Sequence, residues 1–123
     1  MSQNSPDKPF DIKERTFNFA RRCVKLYMFL LKQGGPAKVL APQMLRAGTS
    51  IGANLEEADA GQSKPDFIHK CSIALKEARE TLFWLKLFAA EELVDTARIE
   101  PLRQECNELV AILTTIIKKS QGK

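Results

Sequence analysis

The segment Arg46-Ala-Gly-Thr-Ser-Ile-Gly-Ala-Asn-Leu-Glu-Glu-Ala58 decides the fold, because it keeps a helical pattern despite residues that disfavour helices. Glycine costs roughly 1 kcal/mol relative to alanine inside an exposed helix, and threonine, serine and asparagine are also unfavourable there. The apolar positions nevertheless recur every three or four residues, which is typical of a helix with one buried face. These positions are Met44, Gly48, Ile51, Leu55 and Ala58.

The two glycines of this segment predict a close approach. Gly48 and Gly52 lie about one turn apart, so they leave a smooth patch on which another backbone can pack. The sequence leaves two interpretations open: a tight contact inside one subunit, or a notch that receives a second subunit or a ligand.

Three further segments show the same helical repeat. Proline and glycine at 34–36 end the first, and Ser63-Lys-Pro-Asp66 resembles an N-cap that starts the third. The four helices are predicted at about 10 or 12 to 33, 37 to 60, from 63 past 88, and from about 96 to 120. Their predicted buried positions, besides those of the second, are Phe17, Ala20, Val24, Tyr27 and Leu31; Phe67, Cys71, Ala74, Ala78, Thr81, Leu85 and Phe88; and Ile99, Leu102, Cys106, Leu109, Leu113 and Ile116.

Short connections between long helices favour antiparallel neighbours. The sequence therefore predicts an all-α, up-down-up-down four-helix bundle, formed by one domain at 10–120 between a disordered N-terminal tail at 1–9 and a C-terminal tail at 121–123. We expect Pro42 to be tolerated only within or near the first turn of its helix.

Several classes of protein are excluded by composition and spacing. The longest apolar run has six residues, too short for a membrane helix, and the polar N-terminus lacks a signal-peptide core, so we expect a cytoplasmic protein without membrane contact. The three cysteines have no CxxC spacing and fall on apolar helix faces, so we expect buried, reduced thiols. We expect neither a metal nor a cofactor, and no catalytic residues.

The helices carry more apolar residues than one bundle core needs. The first helix adds Phe19, Cys23, Leu26, Met28, Phe29 and Leu30 to its predicted buried face, and the third and fourth also carry a surplus. Because large exposed apolar patches usually mark interfaces, this surplus predicts a homo-oligomer.

The positive charge is concentrated in the first helix. Seven Lys or Arg residues lie between 13 and 38 against one acid, Glu14, in a chain of net charge +4. A basic surface of this kind predicts binding to the phosphates of a nucleic acid, and the alternative is a solvated face. The predicted contact residues are Arg15, Arg22, Lys25, Lys32, Lys118 and Lys119.

Polar residues beside the apolar face of the second helix have a different predicted role. Antiparallel pairing places Arg46 opposite Glu77 or Ala78, and Asn54 opposite Lys70. We expect Arg46, Asn54 and Glu57 to form buried or interfacial pairs that fix the register of the helices.

Motifs in the second and third predicted helices show a family resemblance. The chain resembles the bacterial "four helix bundle protein" family, which includes proteins encoded by intervening sequences in 23S rRNA genes. The resemblance is carried by Leu45–Ala58, Ser63, Asp66-Phe-Ile-x-Lys70 and Ile73-Ala-Leu-Lys-Glu-Ala-x-Glu-Thr-x-x-Trp-Leu85. The resemblance implies a four-helix subunit in a ring, typically a homopentamer, without established enzymatic activity. A related branch comprises the accessory proteins of diversity-generating retroelements, which bind a reverse transcriptase and nucleic acid. The signature positions are Arg46, Gly48, Thr49, Ser50, Gly52, Asn54, Glu57, Lys76, Glu77 and Glu80.

These observations favour a non-enzymatic, oligomeric bundle with a basic face that binds RNA or another nucleic acid. Two alternatives remain at this stage. One is a scaffold that binds a partner protein and no nucleic acid. The other is an enzyme that holds a small ligand in a notch formed by Thr49, Ser50 and Asn54.

Overall fold

Four long helices make up the described part of the chain. The computed structural model describes residues 9–58 and 63–122, and it contains no strand in those ranges. The helices are α1 (Pro9–Gln33), α2 (Gly35–Ala58), α3 (Lys64–Ala90) and α4 (Thr96–Gly122). The predicted all-α class is confirmed. No helix in the described ranges has a stretch long and apolar enough to cross a membrane.

Local sequence explains where the helices meet. Gly34, which separates α1 from α2, and Gly35, the first residue of α2, have φ values of +72° and +57°, in the left-handed region that glycine enters without strain. Ser63 caps α3 as predicted, since its hydroxyl accepts a hydrogen bond from the Asp66 amide at 3.2 Å. The α3–α4 connection turns at Glu92, with φ +59°.

Three helix boundaries differ from the predictions. Helix α2 begins at Gly35, so Pro42 lies inside the helix and not in its first turn. Because proline has no amide hydrogen, the Lys38 carbonyl lacks its usual helical donor. Pro42 is exposed, so this region is accessible to water and the cost of the lost hydrogen bond is reduced. Pro9 begins α1, and α4 continues to Gly122. Parts of three predicted features lie outside the described residues. They are 1–8 of the N-terminal tail, 59–62 at the end of the second helix, and 123 of the C-terminal tail.

The helices pack as antiparallel neighbours around one core. Helix α1 packs on α2, α2 on α3 and α3 on α4, whereas α4 touches α1 over a much smaller contact. The predicted buried positions of α2 are all buried, as are those of α3 and α4 except the half-buried Phe67 and Ile116. The bundle is therefore closed on three sides and more open between α1 and α4.

The predicted buried face of α1 is wrong. Phe17 is 64% exposed and Val24 is 42% exposed, and the other three positions are only half-buried. The face that enters the core is turned by about one residue, or 100°, around the helix. Its residues are Ile12, Thr16, Phe19, Cys23, Leu26 and Leu30.

On both faces of α1, residues suited to a core recur every three or four positions, so the period alone does not show which face enters the core. The glycines of α2 decide which face does. A Cβ on Gly48 would lie 2.5 Å from the Cys23 Sγ, and a Cβ on Gly52 would lie 3.2 Å from the Thr16 Oγ1. The smooth patch of α2 is thus filled by α1 of the same subunit. Thr16 tolerates burial because its hydroxyl donates to the Ile12 carbonyl at 2.8 Å.

Candidate nucleic-acid interface

A small recess lies on the open side of the bundle, and we call it the α1–α4 recess. Its volume is about 150 Å³. The floor is formed by four buried apolar side chains, and the rim by three exposed cationic ones. The lining residues are Leu26, Val94, Ile99 and Leu102 on the floor and Arg22, Lys25 and Arg98 at the rim.

Arg98 was not predicted from the sequence as a site residue. It lies in the first turn of α4. Only the return of the chain after Val94 brings it beside the fourth to sixth turns of α1. Its guanidinium carbon lies 4.2 Å from the centroid of the Phe29 ring on α1. Such cation–π contacts contribute about 0.5–1 kcal/mol at exposed sites, so the ring holds Arg98 at the rim.

The rim carries positive charge without a carboxylate. None of the described residues that line the recess is acidic. Within residues 9–58 and 63–122, Arg22, Lys25 and Arg98 form no ion pair with an Asp or Glu. The three charges therefore remain available to an anion from solution.

Arg15 has a different environment from the other predicted phosphate contacts. Its Nε and Nη2 donate to both carboxylate oxygens of Glu105, at 3.0 and 2.6 Å, and Nη2 also lies 2.7 Å from an oxygen of Glu108. The hydrogen bond to Glu105 raises the pKa of Arg15 above its ordinary value, against the opposing effect of burial. This side chain is one-fifth exposed and joins α1 to α4, so its charge is balanced inside the subunit.

The other predicted cations do not form one patch. Lys32 is exposed seven residues beyond Lys25, about 10 Å along α1. Lys118 and Lys119 are exposed near the end of α4, and twenty residues, or about 30 Å, separate Lys118 from Arg98. The structure brings together Arg22 and Lys25 and leaves Lys118 and Lys119 at the opposite end of the bundle.

The signature motif forms a polar ladder between α2 and α3. Arg46 Nη2 lies 3.1 Å from an oxygen of Glu80, and Nη1 lies 3.9 Å from an oxygen of Glu77. The same Glu80 oxygen accepts a hydrogen bond from the Trp84 indole at 3.1 Å. The structure contains the predicted pairing of Arg46 with Glu77, and because the Arg46 side chain is 60% exposed, the pair is interfacial and not buried.

The predicted pairing of Asn54 with Lys70 is wrong. Lys70 binds Glu57 at 2.6 Å, and this hydrogen bond raises the pKa of Lys70. The longer Glu57 side chain, one turn further along α2, reaches across the helix interface, whereas the Asn54 amide donates to the Ser50 carbonyl of its own helix at 2.8 Å. The ladder thus still sets the register of α2 against α3, through Glu57.

The polar side chains of the notch considered for a small ligand form hydrogen bonds within α2. Thr49 donates to the Leu45 carbonyl at 2.8 Å, and Ser50 donates to the Ala47 carbonyl at 3.1 Å. Together with the Asn54 bond, these contacts satisfy the three polar side chains locally. Lys76, another signature position, is exposed.

The surface of α1 also exposes apolar side chains. Phe17, Val24 and Met28 lie at intervals of seven and four residues, which places them on one face, and we call them the α1 stripe. The exposed fraction of Met28 is 56%. In the described part of the chain, two more large apolar side chains are exposed, Val39 on α2 and Phe83 on α3.

The three cysteines are buried and unpaired. Burial raises the pKa of Cys23 and of Cys106 to about 12, and it also raises the pKa of Cys71. Thiols of this kind are poor nucleophiles at neutral pH. In the described ranges, no three His, Cys, Asp or Glu side chains come together as a metal site.

Comparisons with known proteins agree with this architecture. Residues 8–115 match the family described as 23S rRNA-intervening sequence protein. This chain belongs to that family. A solved structure of a member of the S23 ribosomal protein family from Bacteroides thetaiotaomicron VPI-5482, whose function is unknown, is 42% identical to it. The match covers 87% of this chain and 98% of that one, with a TM-score of 0.81. A comparison with curated proteins gives no match.

Proposed function

We propose that this member of the 23S rRNA-intervening sequence protein family is a non-enzymatic homo-oligomer that binds RNA or another nucleic acid. The observation that carries the proposal is the convergence of Arg22, Lys25 and Arg98 at the α1–α4 recess without a facing carboxylate. Unpaired cations grouped around one recess attract phosphates, and contacts to phosphates supply most of the affinity in sequence-independent nucleic-acid binding.

The distribution of charge along the chain supports the same function. Residues 15–55 contain no Asp or Glu and seven Lys or Arg residues. One of these, Arg15, is balanced by Glu105 and Glu108, which leaves the positive field strongest further along α1. We propose Arg22, Lys25 and Arg98 as the principal contacts, with Lys32 extending the surface.

The α1 stripe supports self-association. Exposed Phe17, Val24 and Met28 lie on one face of the helix that also carries the cations. A second copy of the chain would remove this face from water, and apolar burial is the main favourable term in most subunit contacts. We propose a ring of subunits, with a pentamer as the expected number. A ring would repeat the basic surface and strengthen its field.

Two features support a non-enzymatic, cytoplasmic role. The buried thiols have pKa values that oppose nucleophilic chemistry, and the polar residues of the Thr49 notch are used within α2. Free cysteines persist in reducing compartments, which favours the cytoplasm.

The test is binding of the purified protein to a labelled fragment of 23S rRNA, chosen because the family description refers to that RNA. Affinity is measured from about 50 to 400 mM salt, because neutralised phosphates make binding fall steeply as salt rises. The charge-reversal variant Arg22→Glu, Lys25→Glu should no longer bind the rRNA fragment. Absence of binding at low salt, or binding that ignores salt, would contradict the proposal.

The second candidate is a scaffold for a partner protein. Phe83, which is 56% exposed, packs edge-on against Trp84 at a centroid distance of 5.1 Å and lies outside the α1 stripe. An aromatic pair of this kind is a common anchor in protein interfaces. Failure of RNA binding in the salt series would make this candidate the leading one.

A further inference from the structure

We infer that the α1–α4 recess is a subsite for a single phosphate ester together with part of its adjoining sugar. This inference rests on the proposed function, because it takes the phosphate from a nucleic-acid strand. It adds the location of the contact, the role of Arg98, and the part of the ligand that is recognised.

The recess has room for a phosphate and the edge of a sugar. Its volume is about 150 Å³, and it opens to solvent between the three cations. The floor residues Leu26 and Leu102 are 6% exposed, and Val94 and Ile99 are even less exposed, so the floor is part of the packed core. Such a floor suits the carbon face of a sugar.

Arg98 is held at the rim with its donors available. Its guanidinium carbon lies 4.2 Å from the centroid of the Phe29 ring, and within the described ranges the side chain forms no ion pair, so its N–H groups can donate to a ligand. Guanidinium groups bind phosphate oxygens through two parallel hydrogen bonds, and such charge-assisted bonds are about twice as strong as neutral ones. Arg22 and Lys25 supply further charge from α1.

The same contact argues against recognition of a base. Phe29 has a face covered by Arg98, and none of the residues lining the recess is aromatic. Stacking on aromatic rings is the usual way in which unpaired bases are held. The subsite should therefore bind the backbone of the strand with little regard to sequence.

The experiment compares two variants that lose the same number of charges. The first is Arg22→Gln, Lys25→Gln, Arg98→Gln. The second, its control, is Lys64→Gln, Arg79→Gln, Lys86→Gln, whose residues are exposed on α3 and form no ion pair within the described ranges. Circular dichroism and melting temperatures check that both variants remain folded. The probes are the labelled rRNA fragment, adenosine monophosphate and inorganic phosphate.

We expect the recess variant to bind the rRNA fragment several-fold more weakly than the control variant. The slope of log affinity against log salt should fall by about 1, because the subsite holds one phosphate and a lost phosphate contact removes roughly 0.7 to 0.9 from the slope. Arg98→Lys should show an intermediate loss, since lysine keeps the charge without the flat stacked fork. Phe29→Leu should weaken binding while all charges remain.

The possible outcomes distinguish a failure of the proposed subsite from a failure of the proposed function. Equal rRNA affinities and slopes for the two variants would overturn the subsite and leave nucleic-acid binding in place. Binding of adenosine monophosphate at the recess, seen as nuclear magnetic resonance shifts of Arg98, without any rRNA binding would overturn the proposed function and support the subsite for a free phosphate ester. Shifts with inorganic phosphate equal to those with the nucleotide would overturn the role of the sugar.

Discussion

Gly48 in α2 and Cys23 in α1 are in such close contact that a Cβ at position 48 would lie 2.5 Å from the Cys23 Sγ. A distance of this size is well inside van der Waals contact, so the two helices approach each other as closely as a missing side chain allows. The relationship explains why a glycine that weakens an exposed helix is used here, and it identifies which face of α1 enters the core.

Gly48→Ala should therefore destabilise the protein, although alanine is the better helix former. Forcing one methyl group into a packed core costs about 1–3 kcal/mol, which exceeds the helix-propensity gain of up to about 1 kcal/mol. The free energy of unfolding in urea measures the loss. Adding Cys23→Ala to this variant should recover part of the loss, because it removes the Sγ atom.

Gly52→Ala is the matched control for this prediction. Its Cβ would lie 3.2 Å from the Thr16 Oγ1 and 3.4 Å from the Thr16 carbonyl carbon, so the crowding is milder and the loss should be smaller. A Gly48→Ala variant as stable as the original chain would contradict the close packing of α1 on α2.

Arg15→Gln should reduce stability more than it reduces RNA binding. Its guanidinium and the Glu105 carboxylate are each about one-fifth exposed, so breaking the pair strands a partly buried carboxylate. We expect a loss of about 1–3 kcal/mol, between the values for exposed and buried ion pairs. Urea unfolding measures this loss, and rRNA affinity is measured on the same folded samples.

Glu108→Gln and Arg22→Gln serve as controls for the two measurements. Glu108 is 65% exposed, so its loss should change stability by less than about 1 kcal/mol. Arg22→Gln should weaken rRNA binding with little effect on unfolding. An Arg15→Gln variant that loses as much rRNA affinity as Arg22→Gln would show that the Arg15 charge reaches the ligand after all.

Phe17→Asp combined with Met28→Glu should dissociate the proposed oligomer. A carboxylate placed in a contact that excludes water costs several kcal/mol unless it finds a partner, whereas the same side chain is harmless on an exposed surface. Light scattering on a size-exclusion column should show the mass falling to that of one chain. Val39→Asp and Phe83→Asp, at exposed apolar positions outside the α1 stripe, should leave the mass unchanged.

If Phe17→Asp, Met28→Glu keeps the mass of the original protein, the α1 stripe is not the subunit contact. A fall in mass caused by Phe83→Asp instead would assign the contact to α3.

The native protein should resist alkylation at Cys23 and Cys106. Burial raises both pKa values to about 12, and iodoacetamide reacts with the thiolate. Mass spectrometry after treatment at pH 8 should show these two thiols unmodified in the folded protein and modified in denaturant. Rapid labelling of Cys23 without denaturant would contradict its place in the core.

The same pKa values predict a loss of stability at alkaline pH. The folded state favours the neutral thiols, so their contribution is fully present below the ordinary thiol pKa of 9.0 and is lost as the pH rises towards 12. Urea unfolding at a series of pH values should show stability declining above pH 9. Cys106→Ala should make the decline shallower, because one of the two raised thiols is gone.

The sequence predicted most of the fold because most of the pattern is local. Helix periodicity, the Ser63 cap and the glycines at 34 and 35 depend on residues within a few positions of one another, and all three are confirmed. The core faces of α2, α3 and α4 also follow from their spacing. Helix α1 is the exception, because it is apolar over more than one face and its core face contains the polar Thr16.

The tertiary structure alone decided the candidate site. Arg98 and Phe29 are 69 positions apart in the chain, so their contact depends on how α4 returns beside α1. The same return places Glu105 and Glu108 against Arg15, which balances a charge that looks free in the sequence. Periodicity reports which face of a helix is apolar, but the charge of a surface depends on its neighbours in space. For this protein, local pattern determined the helices and their order, and packing between α1 and α4 determined which cations remain unpaired.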